Sequence, residues 1–183
     1  MKHELLVAGF GGQGVLSMGM TLAYAGMVEG KEISWMPSYG PEMRGGTANC
    51  IVIVSDAKVS SPILTMFDTV IALNQPSLDK FEHAVKPGGL LIYESTNIIT
   101  VPTRTDVRIL PVAAALEATK LRNPRTMNMI VLGAFLERTH VVEISGVMEA
   151  LKKVLPERYH HLLPLNELAL RRGMELAGEP VKA

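Results

Sequence analysis

Short apolar runs separated by glycine-rich or proline-rich breaks mark the first two thirds of the 183-residue chain. Residues 4–8 read Glu-Leu-Leu-Val-Ala and end at a glycine, a pattern typical of a strand buried on both faces of a parallel sheet. Residues 14–29 carry Leu, Met and Ala at helical spacing, and residues 31–36 return to strand character. The opening segment therefore predicts one β-α-β unit.

The alternation of strands and helices continues to the C-terminus. Further strands are predicted at 47–55, 68–73, 89–94 and 107–112. Helices are predicted at 76–85, 113–121, 126–138, 143–155 and 165–176. The pattern predicts one α/β domain over residues 1–183, a three-layer Rossmann-like fold with a mostly parallel sheet and a helical C-terminal cap. Residues 37–46, which contain two prolines and three glycines, are predicted to form a loop.

Composition and charge exclude several classes of function. The chain has 18 basic and 18 acidic residues and no basic cluster, so we expect no nucleic-acid binding. Its apolar runs are shorter than the roughly 20 residues of a membrane span. The N-terminus enters a strand at once, so we expect a native start without a signal peptide and a cytoplasmic protein. A single cysteine, Cys50, cannot build a disulfide, a zinc site or an iron-sulfur cluster within this chain.

A glycine-rich turn is the first candidate ligand site. The segment Gly9-Phe10-Gly11-Gly12-Gln13-Gly14 fits the pattern G-x-G-x-x-G, and it lies between a predicted strand and a predicted helix. In that context backbone N–H groups can contact a phosphate at the positive end of the helix. The alternative is that the glycines only permit close packing of strand on helix. No acidic residue ends the second predicted strand, which disfavours NAD or FAD and leaves another phosphate-bearing ligand open.

A second candidate is the segment from Ser38 to Gly46, Ser-Tyr-Gly-Pro-Glu-Met-Arg-Gly-Gly. Arg44 stands beside glycines beyond the carboxyl end of a strand, where paired N–H donors can contact a phosphate or a carboxylate. The alternative is a structural loop in which Arg44 binds backbone carbonyls and Tyr39 packs.

Five segments in this order resemble the gamma subunit of 2-oxoacid:ferredoxin oxidoreductases over nearly the whole chain. They are the Gly-Gly-Gln-Gly turn, the Ser38 to Gly46 segment, Ala72-Leu73-Asn74-Gln75-Pro76, Lys86-Pro87-Gly88-Gly89 and the helix from Asn128 to Gly133. Any one of them could arise by chance, whereas their order and spacing together are specific.

The resemblance implies a Rossmann-like subunit of a multisubunit enzyme that oxidatively decarboxylates a 2-oxoacid, transfers the acyl group to coenzyme A and passes electrons to ferredoxin. Thiamine diphosphate and iron-sulfur clusters are then expected in partner subunits of the alpha, beta or delta type, with ferredoxin contacted indirectly. For this chain it implies no catalytic residue, no metal and no tightly bound cofactor. Coenzyme A would be a shared substrate. The implied ligand or subunit contacts are Gly9, Gly11, Gly12, Gln13, Gly14, Tyr39, Arg44, Gly45, Gly46 and Asn74, with Gln75 as a weaker candidate.

The residues around Arg44 bear on the substrate. Met43 precedes the arginine and Gly46-Thr47 follows it, which within the family resemblance favours the 2-oxoglutarate type. The smaller subunit of an indolepyruvate or pyruvate enzyme remains an alternative. So do a stand-alone nucleotide-binding oxidoreductase and a purely structural assembly subunit. The five histidines lack ligand spacing, so no metal site is predicted.

Overall fold

The computed structural model describes residues 1–39, 47–59 and 64–178. Six strands form one sheet: β1 (Lys2–Phe10), β2 (Glu32–Tyr39), β3 (Thr47–Ser55), β4 (Phe67–Ala72), β5 (Val85–Glu94) and β6 (Arg108–Val112). The helices are α1 (Val15–Val28), α2 (Gln75–Phe81), α3 (Ala114–Lys120), α4 (Met127–Thr139), α5 (Ile144–Val154) and α6 (Leu163–Gly178). Short 3-10 helices lie at Glu82–Ala84, Pro124–Thr126 and Glu157–Leu162.

The strand order in the sheet is β2-β3-β1-β4-β5-β6. The pairs β1–β4, β4–β5 and β5–β6 are parallel, and β3 runs antiparallel to both β1 and β2. β2 therefore has the same direction as β1, and β3 is the one reversed strand of this sheet. The predicted α/β fold with a mostly parallel sheet is confirmed. The predicted β-α-β unit is present as well, with β3 inserted between its two strands.

The predicted end of the second strand at Met36 is wrong, because β2 continues to Tyr39 and includes Pro37. β2 lies at the edge of the sheet and has only β3 as a neighbour, with Pro37 opposite Cys50. Proline lacks the N–H that a central strand donates, and an edge strand tolerates it. The predicted loop therefore does not begin at Pro37, and residues 40–46 lie outside the described residues.

Two apolar cores lie on opposite faces of the sheet. The larger core joins residues of the sheet such as Val7 and Val52 to α1 and to α3 through α6, with Phe135 of α4 fully buried. The smaller core joins Leu6 and Val70 of the sheet to Leu78 of α2. The three predicted layers are thus present. The predicted C-terminal helices are present as α4, α5 and α6 and form most of one layer.

Helices α4 and α6 touch backbone to backbone. A Cβ atom on Gly133 would lie 2.0 Å from the carbonyl oxygen of Leu170, and one on Gly173 would lie 1.8 Å from that of Ile130. Only glycine allows this approach. The contact fixes α4 against the sheet, and the first turn of α4 carries Asn128 to the glycine turn. Within the described residues no helix is long and apolar enough to cross a membrane.

Candidate functional site

The glycine turn lies at the carboxyl edge of the parallel strands. Gly9 pairs with Ala48 of β3, and Ala48 pairs with Tyr39 of β2, so the three residues form one row across three strands. With neighbouring strands about 4.8 Å apart, the backbones of Gly9 and Tyr39 are about 10 Å apart. The structure thus brings the glycine turn beside the described end of β2. Arg44, Gly45 and Gly46 lie outside the described residues, and their contacts stay predictions.

The turn leads directly into α1 with two glycines in the left-handed region. Gly12 has φ +94° and Gly14 has φ +78°, conformations that other residues adopt only with strain. Gly14 is the N-cap of α1, no side chain caps the helix, and its first turn contains no acidic residue. The N–H groups of that turn and the helix dipole together favour an anion at this position.

The glycines of the turn have different environments. A Cβ atom on Gly9 would lie 2.8 Å from Oε1 of Gln13, and one on Gly14 would lie 2.4 Å from Nδ2 of Asn128. A Cβ atom on Gly12 would meet none of the described residues within 4 Å, and Gly12 is exposed. The close-packing interpretation therefore holds for Gly9 and Gly14. Gly12, with the partly exposed Gly11 before it, is the part of the turn that a ligand can approach.

Gln13 and Asn74 hold the turn to the end of β4. Oε1 of Gln13 accepts hydrogen bonds from the N–H of Phe10 at 2.7 Å and from Nδ2 of Asn74 at 3.1 Å. Nε2 of Gln13 donates to the carbonyl of Leu73 at 3.1 Å. Oδ1 of the buried Asn74 accepts from the N–H of Ser77 and caps α2. Their predicted ligand contacts stay predictions, and in this arrangement both side chains position the turn.

A cavity of about 780 Å³ lies beside the turn. Ser17 of α1 and Asn128 of α4 line the side nearest Gly14, where Nδ2 of Asn128 donates to the Gly14 carbonyl at 3.4 Å. Leucines of α5 and α6 line the interior, and the exposed Arg122 and Arg125 stand at the polar side. The volume is that of a small-molecule pocket, and arginines are suited to phosphate.

The two arginines were not among the residues that the sequence singled out. Arg122 is a non-glycine residue with φ +55°, and Arg125 lies in the 3-10 helix that Asn123 caps with its side chain. The Asn-Pro dipeptide at 123–124 is a recognisable helix-start signal and could have located this loop. That the loop faces the glycine turn depends on the packing of α4 and could not be read from spacing.

Among the described residues, two side chains with chemical potential, those of Cys50 and His3, are not available for chemistry at this edge. Burial raises the pKa of Cys50 to about 12, so the thiol stays protonated. His3 lies near the opposite end of β1, where burial lowers its pKa and Nε2 is 3.0 Å from Oγ1 of Thr69. Among the described residues no three His, Cys, Asp or Glu side chains form a group that could hold a metal. The described edge is thus equipped to bind and orient an anionic ligand.

Comparison with known proteins identifies the family. Residues 4–176 match the model of the pyruvate ferredoxin/flavodoxin oxidoreductase family. Ketoisovalerate oxidoreductase subunit VorA of Methanothermobacter thermautotrophicus is 42% identical over 96% of this chain and 36% of the relative. The chain therefore spans about a third of the length of that relative.

Two solved structures share the fold. The gamma subunit of a keto/oxoacid ferredoxin oxidoreductase from Geobacter sulfurreducens has a TM-score of 0.81 and 29% identity, over 96% of this chain and 98% of that one. A 2-oxoglutarate:ferredoxin oxidoreductase from Magnetococcus marinus, with 2-oxoglutarate, coenzyme A and succinyl-CoA bound, has a TM-score of 0.89 and 27% identity. That match covers 100% of this chain and 32% of the Magnetococcus chain. The family resemblance seen in the sequence is confirmed.

Proposed function

Because the chain belongs to the pyruvate ferredoxin/flavodoxin oxidoreductase family, we propose that it acts as the gamma subunit of a 2-oxoacid:ferredoxin oxidoreductase. The observation that carries the proposal is the match with the Geobacter gamma subunit, which extends over 96% of one chain and 98% of the other. The complex oxidatively decarboxylates a 2-oxoacid, transfers the acyl group to coenzyme A and passes the electrons to ferredoxin. Within this complex the present chain binds and orients coenzyme A, and the redox chemistry takes place in partner subunits.

Partner subunits hold the cofactors in this proposal. Iron-sulfur clusters take several cysteine thiolates, and this chain has only Cys50, which is fully buried. The residues present therefore do not fit a cluster. We assign the clusters and thiamine diphosphate to alpha, beta or delta subunits, with ferredoxin bound through them and the whole complex in the cytoplasm.

Coenzyme A is the ligand we assign to the edge of the sheet. The uncapped N-terminus of α1 and the open face of Gly12 suit one phosphate group. Arg122 and Arg125 suit a second phosphate group. The cavity between them and Gly14 is lined by leucines and by polar residues such as Asn166, which suits the amide-bearing pantetheine arm. The coenzyme A named in the Magnetococcus structure, which has the same fold, supports this assignment. Tyr39, Arg44, Gly45 and Gly46 are proposed to complete the site from the adjacent segment.

Two observations favour different 2-oxoacids as the substrate of the complex. The residues around Arg44 favour 2-oxoglutarate, the substrate named for the Magnetococcus enzyme. The 42% identity to VorA favours a branched substrate such as ketoisovalerate. We propose 2-oxoglutarate first and ketoisovalerate second. In this proposal other subunits bind the carboxylate of the 2-oxoacid. The substrate must therefore be determined with the assembled enzyme.

The test is anaerobic purification of the tagged chain from its own source, followed by mass spectrometry and assay. The assay follows reduction of ferredoxin or viologen with 2-oxoglutarate, ketoisovalerate, pyruvate or indolepyruvate, each with coenzyme A. We expect co-purification of thiamine-binding and cluster-bearing chains and activity with one of these acids. A chain that emerges alone and binds NAD would instead support the stand-alone oxidoreductase.

A further inference from the structure

The segment that follows β5 is tied down at its start. Glu94, the last residue of β5, is fully buried, and its carboxylate accepts hydrogen bonds from the N–H groups of Thr96 at 3.1 Å and Asn97 at 3.0 Å. The same carboxylate accepts from the N–H of Ala115 in the first turn of α3 at 3.1 Å. One buried carboxylate therefore fixes this segment to α3.

The segment is tied down again further along by Gln75. Oε1 of Gln75 accepts from the N–H groups of Ile99 at 3.0 Å and Thr100 at 2.9 Å. Nε2 of Gln75 donates to the Thr100 carbonyl at 3.1 Å and to Oδ1 of Asp79 at 2.7 Å. A single side chain thus makes three hydrogen bonds to two successive residues.

This anchored backbone holds apolar side chains outward. Ile98 is 6% exposed in the smaller core, whereas its neighbour Ile99 is 91% exposed. Val101 and Leu116 are also exposed, and the N–H of Leu116 donates to Oγ1 of Thr96 at 3.3 Å, which joins α3 to the segment. We call Ile99, Val101 and Leu116 the Ile99 patch. Because the backbone around Ile99 is already held in place, a partner that binds Ile99 has little backbone ordering to offset.

The Ile99 patch is connected to the proposed ligand site. Gln75 follows Asn74, whose amide group holds Gln13 in the glycine turn. Consecutive residues at the end of β4 therefore position the turn on one side and Ile99 on the other. The Ile99 patch and the glycine turn therefore lie at the same carboxyl edge of the sheet.

The longer relatives show that further polypeptide accompanies this domain. The chain corresponds to 36% of the VorA relative and to 32% of the Magnetococcus chain, in which the fold is kept over 100% of this chain. In both proteins the domain shares its chain with about twice its own length of other protein. Its surface must therefore accommodate a large neighbour.

We propose that the Ile99 patch is the docking point of the thiamine-binding partner subunit at the proposed coenzyme A site, with Ile99 inserted into an apolar pocket of that subunit. The inference rests on the proposed function, because it requires a partner at this edge. It assigns Gln75 a positioning role, since Gln75 holds Ile99 outward and does not itself enter the pocket.

The test uses tagged chain expressed in its own source as wild type, Ile99→Asp and Ile99→Ser, with Leu168→Asp as the matched control. Leu168 is 52% exposed on α6, on the opposite face of the sheet from α2. Each tagged chain is purified anaerobically, and the molar ratio of thiamine-binding chain to tagged chain is measured. Circular dichroism and the melting temperature of the isolated full chain check the fold.

We expect Ile99→Asp to lower the ratio on the order of tenfold or more, and Ile99→Ser less, because a charge cannot enter an apolar pocket. Leu168→Asp should keep the wild-type ratio, and all variants should melt as the wild type does. Gln75→Ala should lower the ratio by a smaller factor. An undiminished ratio for Ile99→Asp overturns the inference, as does an equal loss in Leu168→Asp. If the wild-type chain brings no partner, the proposed function fails and the inference with it.

Discussion

The close contact between α4 and α6 gives a sharp test of the fold. Replacing Gly173 by Ala puts a methyl group 1.8 Å from the carbonyl oxygen of Ile130 and 2.9 Å from the N atom of Ala134. Both are backbone atoms inside a helix and cannot turn aside. Since packed non-bonded atoms need about 3.5 Å, the helices must separate by more than about 1 Å at this point.

The magnitude follows from two opposed effects. Forcing extra volume into a packed core costs about 1–3 kcal/mol, and the present contact is tighter than most because backbone meets backbone. Alanine returns about 1 kcal/mol through its higher helix propensity. Separation of the helices also loosens the core around Leu170 of α6 and Phe135 of α4, which are both fully buried. We therefore expect Gly173→Ala to lower the free energy of unfolding by about 2 kcal/mol.

Urea unfolding of the full chain, followed by far-ultraviolet circular dichroism, measures this loss. The melting temperature should fall by about 4–8 °C, since 1 kcal/mol corresponds to about 2–4 °C at this chain length. Gly178→Ala is the control, because its Cβ atom would meet only Oε1 of Glu137, at 3.9 Å. That variant should stay within about 0.5 kcal/mol of the wild type. Equal stability of Gly173→Ala and the wild type would show that the helices are not in backbone contact and refute the reasoning.

Three further predictions concern charge, reactivity and ligand binding. Burial raises the pKa of Glu4, but hydrogen bonds from Lys2 and Lys86 outweigh it and leave the pKa below its ordinary value. This stabilisation is present above about pH 4.3 and is lost as the pH falls through the lowered pKa of folded Glu4. Lys86 is 37% exposed and Lys2 still pairs with Glu4 when Lys86 is replaced, so Lys86→Met should cost about 0.5–1 kcal/mol at pH 7 in urea unfolding and nothing near pH 2. Cys50 should resist iodoacetamide in the native chain at pH 8 and react in denaturant, because its pKa is about 12 and it is buried; rapid native labelling would contradict this. Arg125→Ala should raise the KM for coenzyme A on the order of tenfold in the assembled enzyme without changing kcat, and an unchanged KM would remove Arg125 from the site.

Strand positions were predictable where local pattern alone decides them. The β-branched run at residues 47–55 coincides with β3, because the apolar pattern of a strand does not depend on which strands pair with it. Its place between β1 and β2 was not predictable, because periodicity does not name the pairing partner. The same limit explains β2, where Pro37 ended the predicted strand. Proline stops a central strand, and only the strand order shows that β2 is at the edge.

The site was predictable as a position and not as a set of contacts. The glycine pattern placed the turn correctly, because a strand, a glycine turn and a helix follow one another along the chain. Its members then received different roles from residues far away in sequence. Asn128 fills the space beside Gly14 from 114 residues on, and Asn74 holds Gln13 from 61 residues on. Neither of these two contacts can be predicted from the spacing of residues along the chain.

The hydrogen bonds within the glycine turn also indicate that any ligand of the turn is held jointly with other parts of the protein or with other subunits. A dinucleotide turn offers its N–H groups to a diphosphate and adds a carboxylate after the second strand. Here Gln13 already binds the N–H of Phe10, and the described end of β2 is Pro37-Ser38-Tyr39, which has no carboxylate. What remains open is Gly12 and the start of α1, enough for one phosphate group. A ligand with more than one charged group would therefore need contacts beyond the turn, such as the arginines of the cavity, and this agrees with our proposal of a coenzyme A site shared with other subunits.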